Sequence, residues 1–280
     1  MKKIIIFAAL CLSFLTACDK EDLGGSNIHV PEFDYNALSE TDKYIYDHYT
    51  VPYNVEVVYR WNQGDVSSDD MRKNLVPPRE SQVEPFLEMI EKVWVDTYTA
   101  EVGQQTLRSY IPKQILLVGS ASYNDDGSTT EGTAEGGRQI VLYSVNDFNF
   151  TLEQIQSYAH EFAHILHQNV EYDAEFEKIT PSYSSSWMQM NDETARTKGF
   201  ITAYASSSAD EDFAEMVSIM LTNSPEDWDN MIESAGNATA VEALRKKEAI
   251  VVAYMKNNWG VDMKDFQKEV VAAIEAAVRN

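Results

Sequence analysis

Tyr158-Ala159-His160-Glu161-Phe162-Ala163-His164-Ile165-Leu166-His167 is the stretch on which the fold of this chain turns. Two histidines four residues apart on a helix share one face about a turn apart, so both imidazoles can reach a single tetrahedral metal ion. Glu161 follows the first of them. From there a carboxylate can hold a water at the metal and take its proton, which points to zinc hydrolase chemistry. The same three residues also occur together by chance, so the surroundings decide. Thr151 with Gln154 reads as a capping box that starts a helix. From that start Leu152, Ile155, Ala159, Phe162, Ala163 and Leu166 fall on one side of a helical wheel. His160 and His164 fall away from that side and are expected to face a polar cleft.

A catalytic zinc needs a third protein ligand and one position open to water. His167 shares the face but lies about 10 Å along the axis from His160, too far for the same ion, and reads as a residue behind the ligands or at the surface. His29 and His48 offer no ligand spacing. The stretch Asp210-Glu211-Asp212-Phe213-Ala214-Glu215 supplies acids: Glu211 and Glu215 share one face of a second helix, while Met216, Ile219 and Met220 turn to the core. Acids also suit the positive end of a helix dipole, so a solvated acidic helix start is the plain alternative. With a ligand position still open on the histidine helix, Glu211 is the expected third ligand and Glu215 the fallback.

Outward from these two helices, the chain of 280 residues is long enough for one large domain or two lobes with a substantial core. Met1-Lys2-Lys3 and the apolar run from Ile4 to Leu15 have the form of a secretory signal, too short to span a bilayer. Leu15-Thr16-Ala17-Cys18 reads as a lipoprotein cleavage box, giving a signal over 1–17 and an acylated Cys18 that anchors the protein to a membrane. Residues 18–35 follow as an acidic tether, and folding is expected to begin around Phe33 to Leu38. Cys11 leaves with the signal and Cys18 carries lipid, so the exported domain has neither a disulfide nor a thiolate for catalysis. Without Lys2 and Lys3, 20 basic residues stand against 45 acidic ones, a net charge of −25. Nucleic acid and anionic membrane faces are poor partners for such a surface.

Ser39 with Asp42 predicts a helix through about Tyr49 that Pro52 ends, and Asn54 to Trp61 predicts a strand. Val66 to Arg79 reads as a loop and Gln82 to Glu101 as a helix. Gln114 to Gly119 and Arg138 to Val145 are the best strands, and the polar Gly-rich stretch between them reads as a long hairpin loop. Its acids lack the regular spacing of a calcium loop, and Gly136-Gly137 lacks the context of a phosphate loop. Ser224-Pro225 starts a further helix, and Ala240 to Asn257 and Asp262 to Arg279 predict two more that fit core packing. The expected class is therefore α+β. A mixed N-terminal lobe (about 36–150) and the active-site helix (151–170) precede a helical C-terminal lobe (about 171–280), with the cleft between the lobes.

His160-Glu161-Phe162-Ala163-His164 together with Tyr204, Glu211, Phe213, Ala214 and Glu215 resembles the gluzincin zinc peptidases, most of all the catalytic domain of anthrax lethal factor. Ala163 stands where that pattern has glycine, a change a helix tolerates. The cleavage box, chain length and motifs also resemble the zinc metallohydrolase lipoproteins encoded beside TonB-linked nutrient importers in Bacteroidetes. The acids after Cys18 are similar to the surface-export signal of such lipoproteins, and equally fit a plain linker. The resemblance implies a zincin-like fold with Zn2+ held by His160, His164 and Glu211, and with Glu161 as general base. It implies that Tyr204 serves a developing oxyanion or donates a proton, and that Glu215 accepts from a ligand imidazole. It implies residues 138–145 as the edge strand that pairs with an extended peptide. The expected activity is peptide-bond hydrolysis at the outer membrane, exposed on the cell surface, with importer components as partners. The alternatives are a non-catalytic binding or assembly subunit with a structural or vestigial metal site, and a hydrolase of a non-peptide amide.

Overall fold

The computed structural model describes residues 33–66, 72–125, 129–148 and 151–278. The expected signal, Cys18 and the tether as far as residue 32 lie outside these. Residues 33–38 hold one short turn, Tyr35–Ala37, and the chain from Ser39 onward forms one compact unit.

Ser39 caps the first helix, α1 (residues 40–53), its hydroxyl accepting the Asp42 N–H at 3.1 Å. Pro52 does not end this helix as expected. A π turn, Tyr46–Thr50, widens the helix ahead of it, and Pro52 takes an early position in the last segment, Val51–Tyr53, where its missing N–H costs little. Asn54 closes the helix in the left-handed region at φ 57°. Strand β1 (Glu56–Val58) is shorter than the predicted eight residues. Helix α2 (residues 80–102) follows, interrupted by a second π turn, Glu91–Val95. Gly103 breaks it from α3 (Gln104–Tyr110), which was not expected.

Strand β2 (Gln114–Leu117), a small ribbon of β3 (Ser122–Tyr123) and β4 (Thr129–Thr130), β5 (Gly132–Glu135) and β6 (Gln139–Leu142) complete the sheets. The main sheet has the order β1-β2-β6-β5. Its first three strands are parallel, with Val57 opposite Ile115 and Ile115 opposite Ile140. This corrects the hairpin reading, since β2 and β6 run side by side in the same direction. The cause lies in burial on both faces, which favours parallel pairing. Ile115, Leu117, Ile140 and Leu142 enter the main core, whereas Leu116, Val118, Val141 and Tyr143 form a second one with Val66, against which Trp61 and Leu75 pack. β6 is therefore interior. The edge beside it is β5, antiparallel to β6 through a turn in which Gly136 and Gly137 both have positive φ (57° and 66°) and the Arg138 N–H donates to the Glu135 carbonyl at 3.1 Å.

Beyond β6 the chain is mostly helical: α4 (Leu152–Asn169), α5 (Glu175–Ile179), α6 (Asp192–Arg196), α7 (Ala209–Thr222), α8 (Pro225–Glu233), α9 (residues 238–259) and α10 (Met263–Val278). One core joins the two expected lobes. Phe162 of α4 is fully buried among Trp94 and Tyr98 of α2 and Tyr110 of α3, at ring distances of 4.6, 5.0 and 6.1 Å. Tyr98 in turn meets Phe266 of α10 at 4.4 Å. The architecture is α+β, a small mixed sheet followed by a mainly helical region.

Candidate metal centre

Thr151 caps α4 by accepting the Gln154 N–H, which fixes the phase of the helix. Ile155, Phe162, Ala163 and Leu166 are buried as the spacing predicts; Leu152, the first residue of the helix, is 44% exposed. His160 and His164 are buried as well, at 6% and 9% exposure. The helix is therefore enclosed nearly all round, and α7 supplies the covering wall. Ser208 caps α7 by accepting the Glu211 N–H, so the side chain of Glu211 projects from the first turn.

Three donor atoms meet between α4 and α7. His160 Nε2 lies 2.9 Å from Glu211 Oε2, His164 Nε2 lies 3.2 Å from the same oxygen, and the two nitrogens are 3.0 Å apart. Ligand atoms on a tetrahedron with bonds of about 2.0–2.1 Å are about 3.3 Å apart, so this triangle is close to one face of a zinc site. Among the described residues it is the one group of three such side chains close enough to hold an ion.

The other ring nitrogens are engaged. His160 Nδ1 donates to Glu215 Oε1 at 2.9 Å, and the Thr202 hydroxyl donates to Glu215 Oε2 at 2.6 Å. Glu215 is thus oriented from two sides and holds His160 with Nε2 aimed at the donor triangle. His164 Nδ1 meets His167 Nε2 at 2.7 Å. Burial, and then the charge of His164, lowers His167 to about 4, so its ring is neutral and can accept that proton. His167 stands behind the ligands, buried rather than at the surface. Burial alone would lower His160, but its hydrogen bonds to Glu211 and Glu215 outweigh this and push it up to about 10. Burial would likewise raise Glu211, yet the two histidines hold it well below the usual carboxylate range. Two imidazole nitrogens and one carboxylate oxygen this close together form a donor set that fits one divalent ion.

Glu161 is 8% exposed, and burial raises its carboxyl against the opposing charge of His160 and His164. β5 passes over it so closely that a Cβ at Gly132 would lie 2.7 Å from Glu161 Cγ. Tyr204 sits in a short turn, Tyr204–Ser206, with its ring 5.8 Å from His160 and 4.9 Å from Trp187. Burial and the nearby Glu211 carboxylate push its hydroxyl well above the ordinary value. His160, Glu161, Tyr204 and Trp187 open on a cavity of about 280 Å3 that is also lined by Thr129, Thr130, Glu131 and Gly132, and by Gln156 and Ser157 of α4.

The structure thus brings together His160, Glu161, His164, Tyr204, Glu211 and Glu215, all six residues expected at the site. His48 pairs instead with Glu91 of α2. Sequence reading missed Thr202, Trp187 and Gly132. A hydroxyl two residues before Tyr204 was the one available signal for Thr202; nothing local marked the other two.

A family model described as "Putative zinc-binding metallo-peptidase" matches residues 35–264. A crystal structure of a "putative zinc-binding metallo-peptidase" from Bacteroides caccae superposes with a TM-score of 0.71 at 31% identity, over 86% of this chain and 94% of that one. No curated protein matches the chain. With the matched span running through the donor residues on both α4 and α7, the chain belongs to this family of zinc-binding metallo-peptidases.

Proposed function

We propose that the protein is a zinc-dependent peptidase in which His160, His164 and Glu211 hold the ion and Glu161 is the general base. The observation that carries this reading is the position of Glu161, buried beside the donor triangle and open to the same cleft. A purely structural zinc is closed by four protein ligands and has no use for such a carboxylate. Bound zinc would supply the positive charge that acidifies the attacking water and polarises the scissile carbonyl. Glu161 accepts the water proton on its carboxylate and returns it to the leaving amine. Tyr204 offers its hydroxyl to the oxyanion that develops at the carbonyl. Glu215 keeps His160 in the tautomer that leaves Nε2 free for the ion.

The cleft suits an extended peptide. Besides the site residues, its lining offers amides and hydroxyls (Asn124, Thr129, Thr130, Gln156, Ser157), the Glu131 carboxylate and the rings of Trp187 and Tyr204. We place the protein at the outer-membrane surface, tethered through acylated Cys18 and working beside TonB-linked importers; the sequence of residues 1–22 supports this placement. Glu161→Gln tests the chemistry. It is expected to keep one zinc per chain and to abolish cleavage of peptides that the wild type cuts from a random library. Full activity in that variant would refute the proposed base.

A further inference from the structure

Lys247 of α9 and Asp212 of α7 are both fully buried, with Nζ 2.5 Å from Oδ2. Asp212 is the residue after the donor Glu211. Around the pair, Lys247 also donates to the Gly199 carbonyl at 2.8 Å, and the Tyr183 hydroxyl donates to Asp212 Oδ2 at 3.0 Å. The rings of Phe200 and Phe176 close over the ammonium at 4.3 and 5.6 Å. Gly199 has φ +85°, and a Cβ there would lie 2.9 Å from both Ala243 and Thr180. Only glycine lets the backbone come this close to α9.

Tyr183 stands at the start of the segment 183–206 that carries Trp187, Thr202 and Tyr204, and Gly199 lies within it, three residues before Thr202. The ends of that segment are otherwise joined by the Ser184 N–H, which donates to the Ser206 carbonyl at 2.8 Å. Thr202, three residues after Gly199, is the donor that orients Glu215 behind His160. An ion pair of this kind is poor support for stability, because desolvation offsets its attraction and two apolar residues would pack as well. Its directed hydrogen bonds do what apolar packing cannot, which is to fix several strands of chain in register at one point.

We infer that the Asp212–Lys247 pair is a positioning device for the metal site, fastening the Glu211 turn of α7 and the Thr202–Tyr204 segment to one point in the core. The inference rests on the proposed zinc site. The pair touches neither ion nor substrate and acts through Glu211 and through Thr202 with Glu215.

The test is zinc affinity of the folded full-length chain, measured by competition with a chromophoric chelator, alongside the unfolding midpoint of the zinc-free protein. The double variant Asp212→Asn/Lys247→Met removes both charges and leaves no unpaired ion to prevent folding. It is expected to stay folded by circular dichroism and to bind Zn2+ on the order of 10- to 100-fold more weakly, as loss of groups supporting metal ligands does. Tyr183→Phe removes one hydrogen bond from a half-buried side chain, so it tests the same point should the double variant unfold. Its expected loss is on the order of threefold. Lys246→Met, on the exposed side of α9, is expected to bind zinc as the wild type does. A folded double variant, or Tyr183→Phe, with wild-type zinc affinity overturns the inference. A wild type that binds no zinc overturns the proposed site instead, and the inference with it.

Discussion

Replacing Gly132 by alanine perturbs Glu161 without altering it. The new methyl would lie 2.7 Å from Glu161 Cγ and 3.5 Å from Cδ. Carbon atoms in contact prefer about 3.5–4.0 Å, so one partner must give way by roughly 1 Å. Gly132 is held in the ladder opposite Leu142, and the backbone of α4 is held by its buried face. The Glu161 side chain therefore moves. Overpacking of this kind costs about 1–3 kcal/mol, and the stiffer unfolded chain returns about 0.4–1 kcal/mol. The net loss lowers Tm by only a few degrees in a chain of this size, roughly 2–4 °C per kcal/mol. Catalysis is hit harder, because misplacing a reacting group by about 1 Å costs on the order of a hundredfold in kcat. The three atoms nearest the methyl belong to Glu161 and Val141 rather than to the donors His160, His164 and Glu211, so zinc content should be unchanged. The assay combines kcat and KM on a peptide that the wild type cleaves, metal content and thermal melting. Wild-type turnover in a folded, zinc-loaded Gly132→Ala protein would refute Glu161 as the base. Loss of the zinc would show that β5 or Glu161 helps to hold the ion.

Thr202→Val keeps the shape of the side chain and deletes the 2.6 Å donor to Glu215. Zinc affinity, read by chelator competition, is expected to fall about tenfold; an unchanged value would mean that Glu215 is oriented by other groups. Phe162→Ala empties the site where α2, α3 and α4 meet and is expected to cost about 3–5 kcal/mol in urea unfolding, with an unchanged m-value. A cost below about 1 kcal/mol would contradict a well-packed core beneath the histidine helix.

The metal centre was largely legible because both of its helices announce themselves locally. Thr151 and Ser208 cap them, and four-residue spacing sets the facing side chains His160, His164, Glu211 and Glu215 on their inner sides. Strand direction was not legible. Ile115 to Leu117 and Ile140 to Leu142 are apolar runs that read the same whether parallel or antiparallel, and only the covering residues Val66, Trp61 and Leu75 show why both faces are buried. Gly132-Thr133-Ala134-Glu135 has no strand signature at all; its extended form comes from pairing with β6. Lys247 sits in a charged run, Arg245 to Glu248, with no local mark of burial, and its burial is decided by Asp212 and Gly199 from distant parts of the chain. Pro52 misled because a wide turn ahead of it lets the helix continue.

β5 is only four residues long, and among the described residues no further strand lies beyond it. At about 3.4 Å per residue, a peptide substrate of the proposed kind would find there a rail of roughly 14 Å. A guest laid along that rail must already be stretched out over the same short distance, which a stably folded protein does not provide. Frayed tails, linkers and unravelled loops do. On the proposed function, a four-residue rail would sort peptide targets first by looseness and only then by sequence.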